Sequence, residues 1–455
     1  MTGSGSRPGS QDPDGRRRPG RERAGRPLLA VVVTAMVALA GCSSASPSPG
    51  SSSEPPGGAA SPGATVVAQG DAPGAAASAP TVPSASASAP VPPAPSTPEA
   101  PDARWAPPSE AAVPVATSAT LQTMIDGWVG TSGVPGMAAA VVTPGGSWAG
   151  AAGVDAAGTP IVADSAFSIA SVTKTFVAAE VLLLAARGAI DLDAPVTDYV
   201  DLPFDTGGAT VHQLATMQSG FPLFVPDEIL QPLVAKDLQR VMTAADIVEL
   251  SKDEARIGTL GGPGRYNGLN YVVLGQVIEK VTGEPLATVL RRDLLARAGL
   301  DRIWTQPEEE PGAPLTVAVD GNATRLVDPA GGYLPSLAAA SSGRGGAGMA
   351  ADAPSLARWG YLLYGGRVID PSLVGMMTDG DPAADHGYGF GTMTAEMDGS
   401  TVVGHVGDYM GYSSILLVWP ETRTAVAVLA PRQGASLDGT LPGLAIALYQ
   451  AFQDG

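Results

Sequence analysis

The residues best suited to chemistry lie in one stretch, Phe167-Ser-Ile-Ala-Ser171-Val-Thr-Lys174-Thr-Phe176. A serine hydroxyl is a weak nucleophile at neutral pH and needs a base within hydrogen-bond reach. Lysine can be that base when burial disfavours its ammonium form and lowers its pKa. The chain has four lysines, Lys174, Lys236, Lys252 and Lys280, and only Lys174 has a serine three residues before it. The same spacing also fits a capping serine followed by an exposed lysine, so the stretch does not decide the matter alone.

Two further stretches supply the remaining parts of such a site. In Gly264-Arg-Tyr266-Asn-Gly268-Leu-Asn270-Tyr271, Tyr266 could relay protons between Ser171 and a leaving group. A neighbouring ammonium would favour its phenolate. In Gly404-His405-Val406-Gly407-Asp408, flanking glycines let strand backbone approach a substrate carbonyl. N–H groups there and at Ser171 would hold the oxyanion of a tetrahedral intermediate. His212 and His386 read as packed or structural imidazoles. Three scattered histidines and one cysteine make no metal site, and no cofactor is expected.

These residues need elements to hold them. The apolar run Phe176–Leu184, ending at Arg187-Gly188, predicts a helix with Ser171 at its start and Lys174 one turn on. Further helices are expected at Leu121–Trp128, Val211–Met217, Leu238–Leu250, Asn270–Val281, Leu286–Ala298, Ser355–Tyr364 and Leu441–Phe452. Strands are expected at Met137–Val142 and Ser147–Ala152, around Thr143-Pro-Gly-Gly146, and at Thr401–Gly404, Tyr412–Trp419 and Thr424–Leu429. Strands at both ends around a helical middle predict an α+β fold: one antiparallel sheet flanked by helices, with an inserted all-α subdomain.

Ahead of this domain the composition changes twice. Residues 1–41 join an arginine-rich start to a short apolar run, Leu28–Ala40, too short to span a bilayer and shaped like an export signal. Leu39-Ala40-Gly41-Cys42 resembles a bacterial lipobox, which implies a lipid on Cys42, the only cysteine. Residues 42–112, rich in Ala, Ser, Pro and Gly, read as a disordered tether, and 113–455 as the folded domain. The expected address is extracytoplasmic, membrane-anchored through the lipid. The formal charge is −18, and loss of seven arginines with Asp12, Asp14 and Glu22 leaves −22, which disfavours nucleic-acid partners.

In combination and in this order, the segments are recognisable. Val134-Pro-Gly136, the Ser171 stretch, Val211–Gly220, Tyr271–Gly283, Ala347–Asp352 and Gly404–Ser414 resemble the serine hydrolases that include class C β-lactamases, D-alanyl-D-alanine carboxypeptidases and related esterases. The resemblance implies a β-lactamase/transpeptidase-like fold, with Ser171 acylated, Lys174 its activator and Tyr266 the proton relay. His405, Val406 and Gly407 occupy the place of the Lys/His-Thr/Ser-Gly triplet, and backbone N–H groups of Ser171 and Asp408 would form the oxyanion site.

Two departures stand out. Gly268 replaces the asparagine of the usual Tyr-x-Asn motif, which orients a substrate amide, so Asn267 or Asn270 would have to substitute. Val406 replaces a hydroxyl-bearing residue, and Asp408 is expected to bring a carboxylate close to where a substrate carboxylate would bind. The resemblance implies hydrolysis of an amide or ester in a small-molecule or peptidoglycan-derived substrate, in the manner of a β-lactamase or D,D-carboxypeptidase. The departures favour an esterase or amidase on uncharged acyl compounds. A catalytically silent envelope scaffold is the alternative from another class.

Overall fold

The computed structural model describes residues 104–454 apart from 313–314, 320–335 and 398. The expected export signal, Cys42 and most of the expected tether therefore lie outside the described residues. Residues 104–112, placed with the tether by composition, run along the domain. Trp105 is buried, donates its N–H to Gly365 O (2.9 Å), and sets its ring edge-on to Tyr361 at 5.2 Å. A single large aromatic, ignored in an average over small residues, is enough to dock the strap.

Six strands form one antiparallel sheet in the order β2-β1-β9-β8-β7-β6. They are β1 (Gly136–Val142), β2 (Ser147–Gly153), β6 (Met393–Met397), β7 (Ser400–Tyr409), β8 (Tyr412–Trp419) and β9 (Thr424–Ala430). The central strands β1, β8 and β9 are buried along their whole length, as expected of strands covered on both faces. Helices α1 (Val115–Ser132) and α5 (Thr440–Asp454) pack on each other and on the sheet. Helix α4 (Ala353–Tyr364) packs on β1, β8 and β9.

Between the two ends of the sheet lies the helical middle, whose centre is α2 (Thr173–Ala186) against α3 (Leu269–Thr282). Phe176 on α2 stacks on Trp359 of α4 at 3.9 Å, and the Trp359 indole N–H donates to Thr175 Oγ1 at 3.0 Å. The helix that carries the candidate nucleophile is thus fastened to the layer that backs the sheet. A second, small sheet, β3 (Phe167–Ser168), β5 (Met349–Ala351) and β4 (Ile303–Thr305), steers the chain into α2.

Several elements differ from expectation. The helix expected from Leu238 starts only at Ala244, because Thr243 Oγ1 caps Asp246 N–H while the Asp246 carboxylate accepts the Thr243 N–H. The segment before it holds a separate helix, Asp227–Lys236. Strand β7 does not stop at Gly404 but continues to Tyr409, paired with β8 throughout.

Candidate active site

Ser171 sits in a 3-10 turn, Ala170–Val172, that runs directly into α2. Ala170 has φ 46°, a left-handed conformation that costs a non-glycine residue on the order of 1–3 kcal/mol. Its surroundings hold it there. Thr173 Oγ donates to Ala170 O (2.6 Å), Ser414 Oγ to Ile169 O (2.7 Å), and Ile169 N–H to Met349 O (2.9 Å). Nothing in the residue types announced this strained corner, and it leaves the Ser171 side chain partly exposed.

Lys174 is 1 % exposed, and its Nζ donates to Ser171 Oγ at 2.9 Å and to Gly346 O at 2.7 Å. Neither partner is charged, so burial goes uncompensated and pushes the amine down to about 7. A neutral amine at that position can take the serine proton.

Tyr266 stands beside Lys174, whose Nζ lies 5.0 Å from the phenol ring centroid. Its hydroxyl interacts with that of Ser171. Burial pushes this phenol well above its usual range, the Ser171 contact only partly opposing it. The expectation of a favoured phenolate is therefore corrected: the same desolvation that strips Lys174 of its charge keeps Tyr266 a neutral proton donor. His386, Tyr388 and His405 rings surround Tyr266 at 6.0, 5.6 and 5.9 Å.

The opposite wall is β7. Its pairing with β6 ends at Met393↔Gly404, so beyond that point the strand edge has no partner on the β6 side. A Cβ at Gly407 would overlap the Ser414 hydroxyl and the Ile169 carbonyl, and would lie 3.0 Å from Ala170 Cβ. Only glycine lets β7 approach the Ser171 turn this closely.

His405 is buried, and burial with the nearby Lys174 drives its pKa well below the usual value. Both ring nitrogens are occupied: Nδ1 donates to Val406 O (2.6 Å) and Nε2 accepts from the Tyr388 hydroxyl (3.2 Å). The ring is neutral and offers no cation to a substrate. Alternation along β7 puts Val406 and Asp408 on the other face of the sheet from His405 and Gly407.

The expected clash of Asp408 with a substrate anion is thus contradicted. Its carboxylate accepts from Ser413 Oγ (2.7 Å), Gly434 N–H (2.6 Å) and Ser436 Oγ (3.1 Å), on the face of β7 away from Gly407.

Neither neighbouring asparagine takes over from the one missing at Gly268. Asn267 Oδ1 accepts from Phe224 and Leu269 N–H at 3.1 Å each, and its Nδ2 donates to Pro222 O at 2.8 Å. Asn270 is tied to Ser219 Oγ at 2.7 Å and Met217 Sδ at 3.3 Å. Gly343–Gly348 is a largely buried turn whose Gly346 carbonyl holds Lys174. His212 packs near Phe390, away from this group. His386 is not remote: its ring meets Tyr266 edge-on and its backbone is left-handed at φ 60°.

With the geometry in place, comparison with known proteins is decisive. The beta-lactamase family model matches residues 121–451, which include every member of this constellation. The chain belongs to the beta-lactamase family. It is a serine hydrolase of that family, with its mixed helix and antiparallel-sheet fold.

Among its relatives, esterase EstB of Burkholderia gladioli is 34% identical over 147 residues, 30% of this chain and 37% of EstB. Penicillin-binding protein 4* of Bacillus subtilis (strain 168) is 23% identical over 288 residues, 60% of this chain and 62% of that protein. The matched regions thus span less than two thirds of either relative's length.

Among solved structures, the D-amino acid amidase from Ochrobactrum anthropi SV3 complexed with L-phenylalanine superposes with a TM-score of 0.63 at 24% identity. That superposition covers 74% of this chain and 99% of the amidase. The octameric penicillin-binding protein homologue from Pyrococcus abyssi gives 0.60 at 23% identity, over 73% and 77% of the two chains.

Proposed function

We propose that this beta-lactamase-family hydrolase is an esterase or amidase for uncharged acyl compounds, working through an acyl-enzyme on Ser171. One observation carries the reading. Among the described residues, the side chains at the places expected to orient a substrate amide or carboxylate beside Ser171 are replaced or already engaged, while the Ser171–Lys174–Tyr266 cluster is complete.

In this reading Lys174 Nζ takes the Ser171 proton as Oγ attacks the carbonyl carbon. Backbone N–H groups of Ser171 and Asp408 steady the oxyanion. The Tyr266 hydroxyl gives its proton to the departing oxygen or nitrogen and recovers one from the Lys174 ammonium. Water then attacks the acyl carbon, gives up its proton to the same pair of groups, and frees Ser171. Peptidase and β-lactamase substrates carry a carboxylate that neutral His405 is poorly placed to bind. The named esterase among the relatives agrees with this reading.

The arginine-rich start, the short apolar run and Leu39-Ala40-Gly41-Cys42 further support export and lipid attachment at Cys42. The chemistry is tested by intact-mass measurement after exposure to penicillin, a D-Ala-D-Ala peptide and a short-chain activated ester. Fast ester turnover without a lasting penicilloyl adduct or D-alanine release is expected. Release of D-alanine would establish a carboxypeptidase instead, and inertness to all three a silent scaffold.

A further inference from the structure

Tyr266 is gripped by a turn 119 residues further along the chain. The Asp385 carboxylate accepts the Tyr266 N–H at Oδ2 (3.0 Å) and a guanidinium N–H of Arg265 at Oδ1 (2.8 Å). The Asp385 N–H donates to Gly264 O (2.9 Å). One residue thus bonds to three in a row. A Cβ at Gly264 would lie 2.8 Å from Thr216 O and 3.0 Å from Ala384 Cβ, so only glycine lets the two segments come this close. From the other side, Met217 O accepts the Arg265 N–H (2.8 Å). The main chain entering Tyr266 is pinned on both flanks.

The same turn reaches the ring. His386 and Tyr388 meet the Tyr266 phenol edge-on, with centroids 6.0 and 5.6 Å away. His386 does so from a left-handed backbone at φ 60°, followed by Gly387 at φ 58°. A left-handed histidine is a strained residue that its surroundings must hold in place. Here the tight turn directs the Asp385 carboxylate to the Tyr266 main chain and the His386 ring to the Tyr266 side chain.

We infer that Asp385 is a positioning residue for the proton donor: it fixes the Tyr266 main chain so that the phenol hydroxyl stays on Ser171 and within reach of a leaving group. The inference rests on the reading of Tyr266 as that donor. The contact between the two hydroxyls tolerates little movement, and a misplacement of about 1 Å takes a donor out of hydrogen-bond range. The ion pair with Arg265 matters less, because that guanidinium is 45% exposed and water screens it. The bond from the carboxylate to the Tyr266 N–H is the one that holds the donor.

The test compares kcat/KM for ethyl acetate and p-nitrophenyl acetate. They share an acyl group, so their ratio reports proton donation to the leaving group. A ratio within one preparation does not depend on how much of it is folded. In Asp385→Ala the ethyl ester should lose about tenfold or more relative to the nitrophenyl ester, the scale of a misplaced catalytic group. Asp385→Asn keeps an oxygen that accepts the Tyr266 N–H, and its ratio should stay within about threefold of wild type. Arg265→Met should stay within about the same range. In a Tyr266→Phe background, Asp385→Ala should not lower the ratio further, because the donor it positions is gone. If Tyr266→Phe lowers the ratio and Asp385→Ala does not, the positioning role is overturned and the donor reading stands. A further fall in the double variant also overturns it, since Asp385 would then act by another route. An unchanged ratio in Tyr266→Phe, or no turnover of either ester, overturns the donor reading and the positioning role with it.

Discussion

Lys174 Nζ donates to the carbonyl of Gly346, 172 residues further along the chain, at 2.7 Å, and to Ser171 Oγ at 2.9 Å. Two neutral acceptors fix the amine's direction without supplying the negative charge that would keep it protonated. Position and basicity are thus set by the same packing.

The pH dependence follows directly. With Lys174 near 7, the neutral base is populated above that pH and lost below it. For ester hydrolysis, kcat/KM should rise tenfold per pH unit on the acid side and level off above about 7. Lys174→Arg, which cannot deprotonate, should lose about a thousandfold or more at every pH. A limb near the carboxylate range would point to a different base.

Tyr266→Phe keeps the ring and removes the proton donor. The expected loss in kcat/KM is about 100-fold or more for an alkyl ester, whose leaving alkoxide needs a proton. It should be much smaller for a nitrophenyl ester. Equal losses for both leaving groups would mean that the hydroxyl only supports structure.

Asp408→Asn separates backbone from side chain. Because the carboxylate is held by Ser413, Gly434 and Ser436 on the far face of β7, ester kcat/KM should change by less than about threefold. Stability should fall by about 1–3 kcal/mol, the scale for disturbing a half-buried, multiply bonded carboxylate, as read by urea unfolding. A large gain in affinity for an anionic substrate would put the side chain in the cleft after all.

Glu180, on α2, is completely buried beside the Asp293 carboxylate. Burial, and then the Asp293 carboxylate, raise it from 4.5 to about 8. Asp293 itself stays ionised, held by Arg292 (2.9 Å) and Arg187 (2.7 Å). Since the folded pKa lies above the unfolded one, the unfolded chain releases the proton first. Stability should therefore fall as pH rises from about 4.5 to about 8, by on the order of 5 kcal/mol, and flatten beyond. Glu180→Gln should remove that slope and be the more stable protein at pH 8.5. Parallel unfolding curves for the two proteins across that range would contradict this.

The parts legible in the residues were those with a local signature. The Ser171–Lys174 spacing, the hairpin at Thr143–Gly146 and the long periodic helices needed no tertiary information. Gly407 could be singled out because a glycine beside a strand is unusual, although its contact with Ile169 and Ala170 could not be. Other features depend on long-range packing: the strained Ala170, the scaffold role of Gly346, the outward-facing Asp408 and the occupied Asn267. Tyr266 was located correctly but given the wrong protonation state, because burial outweighs an ammonium that burial has itself discharged.

The central claim is that Ser171 carries the acyl group. The most direct measurement is mass spectrometry of protein quenched during turnover of an activated ester, followed by peptide mapping. The account predicts an acyl mass on the peptide containing Ser171, absent from Ser171→Ala, which should retain no turnover above background. An adduct elsewhere, or a Ser171→Ala protein as active as the wild type, would contradict it.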